Sequence, residues 1–150
     1  MLIRESSTAD FTQMQALQIE CIRGLVGEYP AGTYTDEDMQ EWIRRIRSTE
    51  PRYRDTFNLV AVDRMDSIAA FISWHTRYTT KIESLYVAQE YRNRRLGSAL
   101  LRAVEQAATI QTIELWATLN AQPFYEKQGY TFVGYPHDAL FRMARMRKQL

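Results

Sequence analysis

The sequence predicts an α+β (mixed α/β) domain. Its expected frame is a mostly antiparallel twisted sheet of about six to seven strands flanked by about four helices. Three observations carry this. Phe57–Val62, Ile68–Trp74 and Ile82–Val87 are rich in strand formers and are separated only by short polar turns, as in an antiparallel meander. Leu96, Ala99, Leu100, Ala103, Val104, Ala107 and Ala108 then recur at helical spacing. The chain next becomes strand-like at Thr112–Ala117. A strand, helix, strand crossover favours parallel pairing of the Ile82 and Thr112 strands.

A chain of 150 residues is most simply one domain, 1–150, large enough to bury a core without staples. The apolar fraction of 45% and charged fraction of 25% are those of an ordinary globular protein. A net charge of +1 gives no global pull toward nucleic acid or membrane. Cys21 is the only cysteine, which excludes an intrachain disulfide and a Cys-based metal site. No His/Cys/carboxylate cluster has metal spacing. Charge comes too early after Met1 for a signal peptide, and no apolar run approaches the roughly 18 residues of a membrane span. The default is a soluble cytoplasmic protein.

In chain order, Leu2–Glu5 reads as a short first strand. Ser6, Ser7 and Thr8 supply caps for a helix with Phe11, Met14, Leu17, Cys21, Ile22 and Leu25 on one face. Cys21 is expected to be buried there. The helix ends near Gly24–Gly27, and Gly27–Gly32 is a loop. Thr35 caps a second helix with Asp36, Glu37 and Asp38 in its first turn; Met39, Trp42, Ile43 and Ile46 are its apolar face and Arg44, Arg45 and Arg47 its solvated one. Pro51 lies in the following connection. The crossover helix is expected over Leu96–Thr109. After the Thr112–Ala117 strand, Asn120 is a good N-cap, Pro123 suits a first turn and Gly129 a C-terminal stop, giving a helix of about two turns. Tyr130–Tyr135 returns as a strand. The Pro136-His137-Asp138 turn leads to a last hairpin strand over Ala139–Met146.

The junction between the third strand and the crossover helix is basic. Arg92, Arg94 and Arg95 precede Leu96, Gly97 and Ser98. A helix start offers unpaired N–H groups and partial positive charge, which suit a phosphate or pyrophosphate. Gly97 removes a Cβ where phosphates could approach the backbone.

Two segments resemble the GNAT superfamily of N-acetyltransferases, and the likeness covers nearly the whole chain. Ile82–Val87 followed by Tyr91–Ser98 is similar to the family's fourth strand and acetyl-CoA pyrophosphate loop. Leu119–Tyr130 is similar to its Asn cap and Tyr-bearing short helix. Arg92 and Gly97 match fixed positions of the loop pattern, while Arg95 stands where that pattern has its first Gly. A non-Gly residue is penalised there only if the backbone takes positive φ; with helical geometry its N–H still faces the phosphates.

The resemblance implies a GNAT-like fold and acetyl transfer from acetyl-CoA to a primary amine. It assigns cofactor contacts to Leu85, Tyr86, Val87, Arg92, Arg94, Arg95, Leu96, Gly97, Ser98, Asn120 and Phe124. Leu85 and Val87 would act through backbone groups, much as one more strand would. Tyr125 matches the family's general-acid tyrosine. Glu83 resembles a catalytic Glu position, and burial in its apolar strand would raise its pKa toward that of a useful base. The acceptor pocket is expected from Tyr29, Tyr34, Trp74, His75 and His137, with His75 a second candidate base. The acceptor is read as a small-molecule amine, with protein Lys or N-terminal amines as alternatives. A non-catalytic acyl-CoA-binding module is another. Dimerisation is common in the family, and the C-terminal hairpin is the candidate surface for it.

Overall fold

The computed structural model describes residues 1–27, 32–48, 52–137, 139 and 141–150. Tyr29, Pro51 and most of the Gly27–Gly32 loop therefore lie outside the described residues. Seven strands form one sheet in the order β1-β2-β3-β4-β5-β7-β6. They are β1 (Leu2–Glu5), β2 (Phe57–Val62), β3 (Ile68–Thr76), β4 (Thr80–Val87), β5 (Thr112–Thr118), β6 (Thr131–Gly134) and β7 (Met143–Gln149). The helices are α1 (Phe11–Gly24), α2 (Asp36–Ser48), α3 (Leu96–Ala107) and α4 (Gln122–Lys127). The meander β2-β3-β4 is antiparallel and β4 pairs β5 in parallel, as the sequence predicts.

Alternation along the strands builds two layers of core. Ala70, Ile72 and Trp74 of β3 face Leu100, Leu101 and Val104 of α3 and Tyr125 of α4, while Phe71 turns the other way to Phe11, Met14 and Leu17 of α1. Ile19, Ile22 and Leu25 of α1 meet Met39 and Ile43 of α2 in a third cluster. Ile19 joins the buried face of α1. Cys21, expected within it, is only half-buried at its margin, where its Sγ lies 3.5 Å from the Val87 carbonyl.

Several boundaries shift. β7 begins at Met143 rather than Ala139; it pairs β6 as the expected hairpin and also joins that hairpin to the sheet through β5. Its seven residues pair with β5 along Thr112–Thr118, which fixes the register from the β5 side. α3 ends at Ala107, where Ala108 is already extended. Asn120 is not the cap of the short helix. It sits inside a 3-10 turn over Leu119–Ala121, and α4 starts only at Gln122 with Pro123 in its first turn. Gly129, at φ +92°, stops α4 as expected.

Candidate active site

β4 and β5 pair only through Thr80–Ile113, Lys81–Glu114 and Ile82–Leu115. Beyond Ile82, β4 continues along β3 to Val87 with no pairing to β5. The two strands thus splay, and one edge of Glu83–Val87 is left open. The Ala88 N–H donates to Ala69 in β3 at 2.8 Å. Alternation then turns the backbone groups of Leu85 and Val87 away from β3, toward the splay.

A bulge opens on the same strand. Trp74 pairs Ile82 and Ser73 pairs Ser84, so Glu83 is the extra residue. Its effect is visible in the side chains: Ile82, Leu85 and Val87 all pack on the α3 layer, a parity that an unbroken strand could not give. Glu83 is not buried as the sequence reading expected. Its side chain is about one-third exposed at 34%, and its Oε1 lies 2.6 Å from Nε2 of His75. The two candidate bases are therefore partners across the β3–β4 ladder.

Both line a cleft of about 820 Å3 between the sheet and α1, α2 and the segment before β7. Its aromatic walls include Trp42, Tyr53, Trp116 and Phe141. Trp42 stacks on Phe141 with centroids 5.1 Å apart, and Lys81 Nζ sits 4.3 Å over the Trp116 ring. Of the acceptor-pocket candidates, His75 alone lines this cleft among the described residues. Trp74 is in the α3-side core. Tyr34 is buried, accepts the Leu119 N–H and donates to the Arg142 carbonyl, so it ties the start of α2 to the ends of β5 and β7. His137 is exposed outside the cleft lining. The strict alternation of Thr112–Thr118 was the available signal for Trp116: with Ile113, Leu115 and Ala117 buried on one face, it must point to the other.

The basic loop differs from expectation in two ways. Arg95 takes the left-handed conformation, φ 62° and ψ 21°, and Asn93 does so too at φ 63°. Arg95 is the N-cap of α3, with no side-chain cap, so the first-turn N–H groups of Leu96, Gly97 and Ser98 open outward. A Cβ on Gly97 would stand 3.3 Å from Phe124 Cζ and 3.8 Å from Val87 Cγ2. Its bare Cα thus serves the contact between α3 and α4. Arg94 lies 5.2 Å over the Tyr91 ring, Arg92 Nε approaches the Val87 carbonyl at 3.4 Å, and Ser98 Oγ accepts from Gln128.

Tyr125 projects from α4 into the core, 7% exposed, with its ring edge-on to Phe124 and Tyr130. Burial pushes its phenol well above the ordinary range, and Tyr125 lies near enough to Tyr86 to raise that phenol too, after burial itself.

Residues 30–150 match the family model of the acetyltransferase (GNAT) domain. The chain belongs to that family. It is accordingly an N-acetyltransferase, with acetyl-CoA as the acetyl donor. None of the curated proteins matches the sequence. Among solved structures, it is similar to a GCN5-related N-acetyltransferase from Rhodopseudomonas palustris, with a TM-score of 0.85 and 21% identity over 99% of this chain and 95% of that one. PaiA N-acetyltransferase from Thermoplasma acidophilum, solved with coenzyme A, gives 0.81 and 21% over 99% and 98%. An aminoglycoside 6′-N-acetyltransferase, also solved with coenzyme A, gives 0.67 and 21% over 99% and 97%. At these identities the likeness is one of fold. Among the described residues no group of His, Cys, Asp or Glu is arranged to hold a metal, and no helix is long and apolar enough to cross a membrane.

Proposed function

We propose that this N-acetyltransferase transfers acetyl from acetyl-CoA to a small-molecule primary amine by direct attack, with Tyr125 as general acid and the Glu83–His75 pair supplying the base. The observation that carries the reading is the splay of β4 from β5. It joins an open backbone edge at Leu85 and Val87 to the Glu83–His75 pair on the cleft side. The pantetheine arm would pair with Leu85 and Val87 as an added strand, and the uncapped start of α3 would take the pyrophosphate. Arg92, Arg94 and Arg95 border that helix start, and Asn120 and Phe124 border the arm from the α4 side. Two extended hydrogen-bonding features, met in sequence along one chain, suit a long ligand with a charged end.

The amine must arrive neutral or be made so, since an alkylamine has a pKa of ~10.4. The base takes one proton from the ammonium. The freed nitrogen forms the new C–N bond at the thioester carbonyl, whose oxygen is stabilised by an N–H of Val87 or Leu85. As the C–S bond breaks, Tyr125 gives its proton to sulfur; the second amine proton returns to the phenol through solvent. A phenol held in its protonated form by burial suits that role. The cleft volume suits a small acceptor better than a folded protein surface.

Calorimetry with acetyl-CoA, followed by thiol release over a panel of alkylamines, polyamines, aminoglycosides and peptides with free N-termini, tests the proposal. Heat with turnover on a small amine is expected. Turnover confined to the peptides would move the acceptor to a protein, and heat without turnover on any amine would leave only a binding module.

A further inference from the structure

Within the Glu83–His75 pair the roles divide, and we infer that His75 Nδ1 accepts the amine proton while Glu83 positions the imidazole. The inference rests on the acetyl-transfer reading above and deepens it. The contact of 2.6 Å involves His75 Nε2 and one carboxylate oxygen, Oε1. An ionised carboxylate can only accept, so the nitrogen facing it carries the hydrogen. In the neutral ring the other nitrogen, Nδ1, is then the bare one, with a lone pair. Among the described residues Nδ1 has no hydrogen-bond partner, and the ring is 39% exposed at the cleft. Glu83, by contrast, has one oxygen committed to the ring. The arrangement is that of an acid-oriented imidazole: the carboxylate fixes tautomer and direction and stabilises the imidazolium formed when the proton arrives.

The strand register explains how the pair is made. Regular pairing sets His75 opposite Lys81 and leaves Glu83 unmatched between Ile82 and Ser84. Lys81 and Glu83 share the cleft face with His75, and the Glu83 side chain reaches the ring diagonally across the ladder beside the bulge. The other titratable groups lining the cleft are Lys81 of β4, Asp55, Arg52 and Tyr53 from the turn before β2, Arg45 of α2 and Tyr86. Lys81 is held over Trp116 and Arg45 is paired with Glu41, which leaves Glu83 as the group in contact with the imidazole.

Chemically, the step is a single proton transfer. The ammonium N–H bond breaks, Nδ1–H forms, and the charge moves from substrate to imidazolium beside the Glu83 carboxylate. The imidazolium then gives the proton to cleft water and is ready again. No oxidant or further reactant is needed.

The test begins with the protein alone. The chain has two histidines, His75 and His137, so 15N-histidine labelling gives two ring systems, and His137→Gln assigns them. At a pH where the ring is neutral, the expected signals are a protonated Nε2 and a bare Nδ1 for His75, with the tautomers mixing in Glu83→Ala. A bare Nε2 facing a protonated Glu83 would overturn the assignment. Turnover is then followed with acetyl-CoA and propylamine, benzylamine and spermidine. His75→Ala should lose on the order of 10²-fold or more in kcat and recover part of it with added imidazole. Glu83→Gln, which still accepts a hydrogen bond, should lose less, roughly 10-fold in kcat with KM unchanged, and should gain nothing from imidazole. The reverse ranking, or rescue of Glu83→Ala by acetate alone, would make Glu83 the base. If the wild-type protein releases no thiol across the whole amine panel above, the acetyl-transfer reading fails and this inference with it; turnover together with the other tautomer overturns this inference alone.

Discussion

Gly97 and Phe124 meet where a methyl group would leave only 3.3 Å between it and the ring. The contact joins the start of α3 to α4, the two elements that border the splay from above. Gly97→Ala is therefore expected to push the Phe124 ring aside by a few tenths of an ångström, so that overpacking offsets at least the ~1 kcal/mol that Ala gains over Gly inside a helix. Urea unfolding reads the cost, and calorimetry with acetyl-CoA should show weakened binding. Gly27→Ala is the control, because nothing lies within 4 Å of its Cβ position.

Arg95 holds a conformation that costs a residue with a Cβ about 1 kcal/mol. Arg95→Gly should raise the urea midpoint by a corresponding amount. Arg95→Ala keeps the backbone cost and removes the charge. Acetyl-CoA affinity lowered equally in both variants would mean that the guanidinium grips the donor; affinity unchanged in both would leave Arg95 as a tolerated substitute for glycine.

Tyr34 bonds two backbone groups with one hydroxyl, accepting from Leu119 at 3.0 Å and donating to Arg142. Tyr34→Phe leaves both without that partner inside the protein, and about 1–3 kcal/mol of stability should be lost. The loss should appear in chemical denaturation without any change in which amines are accepted.

Tyr125→Phe removes only an oxygen from a packed ring. Under the proposed mechanism kcat should fall by about 10²-fold or more while acetyl-CoA binding by calorimetry stays nearly constant. Unchanged thiol release would remove Tyr125 from the chemistry.

Asp10 is buried, and the Arg4 guanidinium that donates two hydrogen bonds to it holds its carboxyl below the usual range. The folded state thus binds that proton less tightly than the unfolded one. Its stabilisation is full above the ordinary Asp value of ~3.9 and is lost as pH falls through the lowered one. Urea midpoints measured downward from pH 6 should drop across that window, and Asp10→Asn should flatten the drop while lowering the plateau.

Much of the frame was written in local pattern. Phe57–Val62 and the start of α2 at Thr35 with Asp38 were readable because strand composition and a capping box act over a few residues. The parallel β4–β5 pair followed from a crossover helix of sufficient length. The β7 register was not readable: its partner β5 lies far off in sequence, and Met143–Gln149 alternates no more cleanly than the segment before it. At the site, the composition of Tyr91–Ser98 marked the loop, but not that Arg95 turns left-handed, because φ there is set by how α3 docks. Glu83 was read as a buried acid because its neighbours are apolar; with Lys81 it faces the cleft instead. The pairing of His75 with Glu83 across the ladder was equally hidden, since it is a diagonal contact between two strands.

The short β4–β5 ladder gives this sheet a seam through its middle, three residue pairs long beside the seven that join β5 to β7. Beyond those three pairs the halves β1–β4 and β5–β7 are held together by side chains, Ile72 and Ile82 packing in one core with Leu115, Tyr125 and Met146, so the seam lacks a backbone ladder rather than a core. A donor that pairs along β4 would stitch it. By mass action, each tenfold rise of donor above its dissociation constant would then add about 1.4 kcal/mol to the folded state. The protein's lifetime against unfolding would thus follow the supply of the acetyl group it spends.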